Sequence, residues 1–450
     1  MRLAIPRQRA ALPVLGPRVR LAAGAWLEGL LAIWQRALLP FLGTRVLIFL
    51  VAAFTDFSLL STEKAHLGKP KFVDATHFPN LLLVNWVHFD SGFYLGLAIG
   101  GYPAQRPHGH YSSWEFYPLF PALIHPLGRA LGGHWSRFSI AALIVANVAA
   151  LIAVAYLFVL VRREYGERVA QRATLFLALF PSSFFLSAAY SESVFLAPAV
   201  ACLYYARARR WLGAGICGAL ATLARGPGIL LLVPVGWELW QDLSERYAPM
   251  SAQPSDTRRQ RIREWWASRL RGPLRAARVP RAWAALLALL LIPLAQVAFM
   301  TYAKIRTGTF QANLIAIKTW HHYLSWPWQP VLHDLVYHPA SMSDPMVYDP
   351  FLQSIVMLSL FTIFTIWAFF RLPTAYALYA LAMFLVPLCT GYISSLPRYY
   401  LVIFPAFMLL ALWSDPEQHP QRFIFLIVAS AMSLTMLTAF FALGLPAAGI

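Results

Sequence analysis

Residues 211–238 read WLGAGICGALATLARGPGILLLVPVGWE. A helix needs about 20 apolar residues to cross the hydrocarbon core, and this run is long enough for one crossing. Its flanks argue otherwise. RARR at 207–210 precedes it, and the stretch 241–281 carries ten Arg against four acids, Asp242, Glu245, Asp256 and Glu264. Basic loops of polytopic proteins stay on the cytoplasmic side, so both ends of the run are expected on one face of the membrane. Arg225-Gly226-Pro227-Gly228 interrupts it at the middle, where proline removes a backbone donor. The expected structure is two short half-helices that enter and return, with Arg225 at the tip. An arginine at that depth is costly unless it faces a cavity or a partner.

The rest of the chain supports a membrane reading. Of 450 residues, 59% are hydrophobic and 12% charged, a balance far too apolar for an ordinary soluble domain. The net charge of +18 lies in blocks between apolar runs, which argues for the positive-inside effect and against nucleic acid. Cys202, Cys217 and Cys389 all fall inside apolar segments with no recognisable spacing, so neither a disulfide framework nor a zinc site is implied. Arginines at positions 2, 7, 9, 18 and 20 precede the first long apolar run, which starts near residue 38. That is late for a cleaved signal peptide and reads as a retained first span.

Candidate spans are 38–57, 139–161, 173–189, 193–206, 282–303, 351–370, 374–393, 399–413 and 423–444, with 116–131 dipping into or lying on the outer face. The expected class is an all-α polytopic membrane protein with about 9–11 transmembrane helices. Residues 1–37 form a basic cytoplasmic tail and 38–450 a single transmembrane domain. Within it lie a first extracytoplasmic loop over 58–137, a basic cytoplasmic loop over 239–281 with an amphipathic surface segment around REWW, and a second extracytoplasmic loop over 304–350. The outer loops are rich in Trp, Tyr, His and Pro, and hold most of the ionisable groups that the positive-inside effect does not explain. A functional site is expected there.

In one of these loops, HFDSGFYLGLAIGGY (88–102) sets the carboxylate of Asp90 among aromatic residues. Asp before Ser-Gly-Phe makes a good N-cap for a short amphipathic helix over 91–100 lying on the membrane. The same carboxylate, partly desolvated by Phe89, Phe93 and Tyr94, also suits a general base for a hydroxyl nucleophile. Both readings stand at this level.

Further segments carry a pattern. WEFYPLFPAL (114–123), LFPSSFFLSAAYSESVF (179–195), LATLARGPGILLLVP (220–234), TGTFQANLIAIKTWHHYLSWPW (307–328) and SSLPRYYLVIFPAF (394–407) follow HFDSGFYLGLAIGGY in order. Together they resemble the family of mannosyltransferases that add the second mannose to GPI anchors, with its bacterial relatives. The similarity runs from residue 88 to about 407, and YSES and FYPLFP are its most specific parts. Phe89 stands where the family has tryptophan, and ARGPG replaces the usual turn.

The resemblance implies an inverting GT-C glycosyltransferase that moves mannose from a polyprenyl-phosphate carrier to a hydroxyl on a glycolipid, glycan or protein. Asp90 is then the catalytic base. Arg398, with Arg225 as second choice, holds the donor phosphate. Glu192, Tyr190, Glu115, Tyr117, Trp320, His321 and His322 are candidate sugar or acceptor contacts, with Trp326 joining Trp320 and the histidines in a possible stacking wall. Structural alternatives stand beside these: interfacial snorkelling for Arg398, packing for Arg225, arginine pairing for Glu192, and an aromatic belt for the tryptophans. No cofactor is expected, since the lipid-linked sugar is a substrate. A metal held by His108, His110 and Glu115 is not supported by any known spacing, and there is no D-x-D pair. The competing readings are a GT-C enzyme for another sugar and a polytopic lipid or sugar transporter. The transporter would show paired half-repeats, whereas only one interrupted segment is present. Arg/Ala-rich composition and no retrieval signal point to a bacterial plasma membrane, with the N-terminus cytoplasmic, the site extracytoplasmic and the bilayer as a partner.

Overall fold

The computed structural model describes residues 28–59, 83–105, 107, 112–248, 266, 269–320, 322–337, 350–391, 393 and 395–443. Among them the ordered elements are helices, with no strand. They are α1 (Leu39–Leu59), α2 (Ser91–Gly100), α3 (Leu119–Ala130), α4 (Trp135–Tyr165), α5 (Glu167–Leu179), α6 (Glu192–Arg207), α7 (Trp211–Ala224) and α8 (Leu232–Tyr247). After a break follow α9 (Pro280–Leu289), α10 (Leu291–Thr307), α11 (Ala312–Thr319), α12 (Gln329–Tyr337), α13 (Pro350–Arg371), α14 (Thr374–Cys389), α15 (Leu396–Tyr400), α16 (Pro405–Trp413) and α17 (Pro420–Ala442). The protein is an all-α, multi-pass membrane protein.

Five helical stretches among the described residues are long and apolar enough to cross a membrane: 28–55, 135–165, 280–307, 353–371 and 420–442. The others are shorter, so the expected 9–11 full crossings resolve into long spans and short buried helices. Several boundaries move. Helix begins by Glu28 and continues through a π-helical turn at Trp34–Leu38 into α1, inside the segment expected to be tail. The span expected over 173–189 is cut at Leu179, because Pro181 pushes Phe180 out of the helical region to ψ 138°. A second break divides the span expected over 399–413 into α15 and α16. Residues 241–247 belong to α8 and not to a loop. The amphipathic segment around REWW, apart from Trp266, lies outside the described residues.

The expected break at Arg225 is present, between two helices. α7 stops at Ala224, Gly226–Leu231 form a 3-10 turn, and α8 returns. The return is fixed at the far end, where the Arg209 guanidinium, just before α7, donates to the Glu238 carbonyl in α8 at 3.0 Å. Tight packing explains the glycines. A Cβ on Gly215 would lie 1.9 Å from the Ala288 carbonyl oxygen of α9, and one on Gly228 2.4 Å from the α7 backbone. Small residues of this kind let membrane helices approach closely. At the centre, α4 buries an alanine face at helical spacing, Ala142, Ala146, Ala150 and Ala153, and packs against α5 and α6. Gly166 at φ 88° ends α4 and lets α5 start at once.

Candidate active site

Four segments converge at the N-terminal end of α6. Glu192 is its first residue, Asp90 precedes α2, Arg225 sits at the α7–α8 turn, and Arg398 lies in the short α15. Arg398 Nη1 donates to Asp90 Oδ2 at 2.5 Å, across 308 positions of sequence. Its Nε stands 3.3 Å from Glu192 Oε1, and Arg225 Nη1 donates to that same oxygen. The two carboxylates and two guanidiniums balance in charge, which is what makes burial at this depth tolerable. Side-chain exposure is 1% for Glu192 and 8% for Arg398, but 17% for both Asp90 and Arg225. The inner pair is closed, while the outer carboxylate and outer guanidinium keep an opening.

The cap reading of Asp90 is overturned. Helix α2 has the expected bounds, but Asp90 is itself in the helical region and makes no side-chain capping bond. A charge-assisted bond to a guanidinium is roughly twice as strong as a neutral one, and the carboxylate turns to Arg398. Phe89 stands just before it at φ 49°, a left-handed conformation uncommon for a bulky residue. Nor does α2 simply lie on a surface: Tyr94, Leu95, Leu97 and Ala98 are buried.

The remaining candidates fall into two groups. Tyr190 is buried, its hydroxyl donates to the His88 carbonyl at 3.0 Å, and its ring stands 5.3 Å from the Arg398 guanidinium. That hydroxyl is therefore engaged by the backbone. Tyr117 donates to Gln296 Oε1 at 3.1 Å and its hydroxyl lies against Gly226, beside the Arg225 turn. Glu115 Oε1 is 3.3 Å from His322 Nδ1, while its Oε2 is buried with no hydrogen-bond partner among the described residues. Burial pushes the Glu115 carboxyl above its ordinary pKa, and the His322 bond offsets part of that shift. Trp320 packs edge-on against Phe93 and Phe116, and its indole donates to the Ser112 carbonyl at 3.0 Å. Trp326 instead stacks on Trp328, with both rings exposed. His321, His108 and His110 lie outside the described residues, and among those described no three His, Cys, Asp or Glu side chains gather as a metal site.

Two further tyrosines join the cluster, Tyr399, which the sequence did not single out, and Tyr94, expected only as an apolar neighbour of Asp90. The Tyr399 hydroxyl accepts from Arg398 Nη2 at 3.4 Å, and its ring lies 5.3 Å from Arg225 and 5.1 Å from Arg398. Tyr94 bonds Ser191 at 2.6 Å, joining α2 to the start of α6. Both belong to motifs singled out above, RYY and YSES with its partner loop, but an aromatic at a membrane interface carries no signal of its own. What the assembly offers is a pair of guanidiniums backed by aromatic faces, beside a carboxylate that one of them restrains. Such a pair suits a phosphate oxyanion.

Over residues 30–262 the chain matches the family model described as mannosyltransferase (PIG-V). No curated protein sequence matches it. Among solved structures it is similar to ArnT from Cupriavidus metallidurans bound to undecaprenyl phosphate, at 15% identity and a TM-score of 0.49, covering 90% of this chain and 78% of that one. It is also similar to the oligosaccharyltransferase of Archaeoglobus fulgidus in the apo form, at 14% identity and a TM-score of 0.41, covering 90% of this chain and 56% of that one. The chain thus spans little more than half the length of the archaeal protein. The family match takes in Asp90, Glu192 and Arg225 and extends over more than half of the 450 residues, and the chain belongs to the mannosyltransferase (PIG-V) family.

Proposed function

We propose that this membrane glycosyltransferase moves mannose from a polyprenyl-phosphate carrier to a hydroxyl of a glycolipid, glycan or protein, with inversion. The observation that carries the proposal is the Asp90–Arg398–Glu192–Arg225 cluster. The acceptor oxygen attacks the anomeric carbon from the face opposite the phosphate. As that bond forms, the bond from carbon to phosphate oxygen breaks, Asp90 takes the acceptor proton, and the polyprenyl phosphate leaves with its charge held by Arg398 and Arg225. The isoprenoid tail stays in hydrocarbon, which is why the chemistry sits in a membrane bundle.

Arg398 serves both partners. Paired with Asp90 it occupies Oδ2; drawn toward a donor phosphate it frees that oxygen to accept the proton. Donor binding thereby readies the base. The arginine-rich end of the bundle lies on the cytoplasmic face in this reading, and the site opens on the extracytoplasmic face of a bacterial plasma membrane. Glu115, His322 and Trp320 face the sugar or acceptor.

The test is transfer by the purified chain in lipid nanodiscs, supplied with labelled polyprenyl-phosphate-mannose and a panel of membrane extracts. The expected result is label in a glycoside whose anomeric configuration is opposite to the donor's. Retained configuration would exclude single displacement, and transfer from a nucleotide sugar alone would exclude the lipid carrier.

A further inference from the structure

A buried arginine outside the ionic cluster has no carboxylate in reach among the described residues. Arg45, in the first long span, is 4% exposed. Its Nη1 donates to the Ser183 carbonyl at 2.7 Å and its Nη2 to the Ala178 carbonyl at 2.8 Å and to Ser183 Oγ at 2.9 Å. Thr44 Oγ1 accepts from Nε at 3.2 Å and from Nη2 at 3.1 Å, and the guanidinium lies 4.4 Å from the Phe41 ring centre. A charge within a span is expensive, and here it is satisfied by the Ala178 carbonyl at the C-terminal end of α5, by the Ser183 carbonyl and hydroxyl in the 3-10 turn Ser183–Leu186 that follows Pro181, and by the Thr44 hydroxyl.

The break that Arg45 holds, residues 180–191, reaches the segments that carry Asp90, Glu192 and Arg398. Ser182 Oγ donates to the Pro397 carbonyl at 2.6 Å, the residue before Arg398. Ala189 N donates to the Trp86 carbonyl at 2.9 Å and the Tyr190 hydroxyl to the His88 carbonyl at 3.0 Å, on the strap that carries Asp90. The break then ends in Ser191 and Glu192. We infer that Arg45 is a positioning residue: it sets the 180–191 break and thereby the placement of Glu192 against the two arginines. Lysine cannot replace it, because an ammonium has three donors on one point and lacks the planar fork that reaches two carbonyls and two hydroxyls at once.

The inference rests on the phosphate reading of the arginines only for its effect on the donor, so the test has two arms. In the first, hydrogen–deuterium exchange of the full chain in nanodiscs compares the parent with Arg45→Lys. Exchange over 180–191 should rise at least tenfold while α4 and α13 are unmoved. In the second, affinity for polyprenyl-phosphate-mannose should fall about tenfold in Arg45→Lys but less than twofold when the change is made in a Glu192→Gln background, since Glu192 is the route of the effect. Unchanged exchange over 180–191 would overturn the inference. So would a loss of affinity fully additive with Glu192→Gln, which would place the action of Arg45 elsewhere. If the parent itself fails to bind polyprenyl-phosphate-mannose, the donor reading falls while the exchange arm still decides Arg45. Should Arg45→Lys not fold, Ser183→Ala removes one acceptor and takes the same measurements, with a smaller increase over the same residues expected.

Discussion

Helix α6 carries a buried ionic cluster at each end, and the two are built differently. At its C-terminal end Arg207 donates to both oxygens of Glu164, at 2.9 Å each, and to both oxygens of Glu238, at 3.0 and 3.2 Å. Tyr376 adds a bond to Glu164, and Arg209 and Arg246 pair with Asp242. Four helices, α4, α6, α8 and α14, are thereby clamped, and the guanidinium is saturated. At the N-terminal end Arg398 divides itself between two carboxylates, Glu192 Oε2 is buried with no hydrogen-bond partner among the described residues, and both arginines lean on the Tyr399 ring. Identical residue types make a finished structural joint in one place and an under-satisfied cluster, fit to exchange partners, in the other. Removing a group from the first should cost stability; removing one from the second should cost chemistry.

The sharpest way to break that contrast is Asp90→Asn. An amide cannot take up the acceptor proton, and loss of a general base is typically worth roughly 10²–10⁴ in rate. The amide oxygen can still accept from Arg398, so the variant should lose less stability than one that removes a whole side chain from a buried pair. It should also bind polyprenyl-phosphate-mannose at least as tightly, since Arg398 is no longer drawn to a carboxylate. Near-parental turnover would end the catalytic reading, and weaker donor binding would end the idea that Asp90 and the phosphate compete for Arg398.

The opposite end gives the complementary result. Arg207→Met leaves Glu164 and Glu238 facing each other without their cation, and breaking a buried pair from one side costs about 3–5 kcal/mol. Thermal melting in detergent should fall accordingly, while the folded fraction keeps the parental donor affinity. Arg398→Ala also strands two carboxylates and should cost stability, but unlike Arg207→Met it should in addition weaken the donor by about 2–5 kcal/mol. Parental donor affinity in Arg398→Ala would erase the distinction between the ends.

These expectations also mark how far the sequence alone could reach. The α7–α8 pair was legible because its evidence is local: basic flanks and an Arg-Gly-Pro-Gly break. Asp90, Glu192 and Arg398 stood out because ionisable groups are rare in so apolar a chain. Their pairing was not legible, since partners 308 positions apart meet only once the bundle is built. The cap reading that stood beside the base reading of Asp90 failed for a related reason: a local acceptor role is visible in the sequence, whereas the distant guanidinium that outcompetes it is not. Arg45 was missed because an arginine within an apolar run looks like any snorkelling side chain until the carbonyls on either side of Pro181, of Ala178 and Ser183, are seen beside it.

The smallest effect concerns the rim of the site, where the Glu115 carboxyl stands between the two kinds of behaviour. Glu115 is buried beside His322, with Asp90, Arg398 and Tyr399 within electrostatic reach and Tyr117 two residues away. Burial raises its folded-state pKa above the unfolded value. Between those two pKa values the folded protein binds more protons than the unfolded one, so stability falls as pH rises through that window and is flat above it. At low pH, where both states are protonated, the group contributes no difference. Glu115→Gln keeps the shape and a hydrogen bond to the imidazole but has nothing to ionise. Its melting temperature should therefore sit slightly above the parent's at neutral pH and converge with it in acid, with donor affinity little changed. A variant that melts below the parent at pH 7 and recovers in acid would show that the ionised carboxylate stabilises the folded chain through His322, and would move Glu115 from the reactive kind of cluster to the clamped kind seen at Arg207.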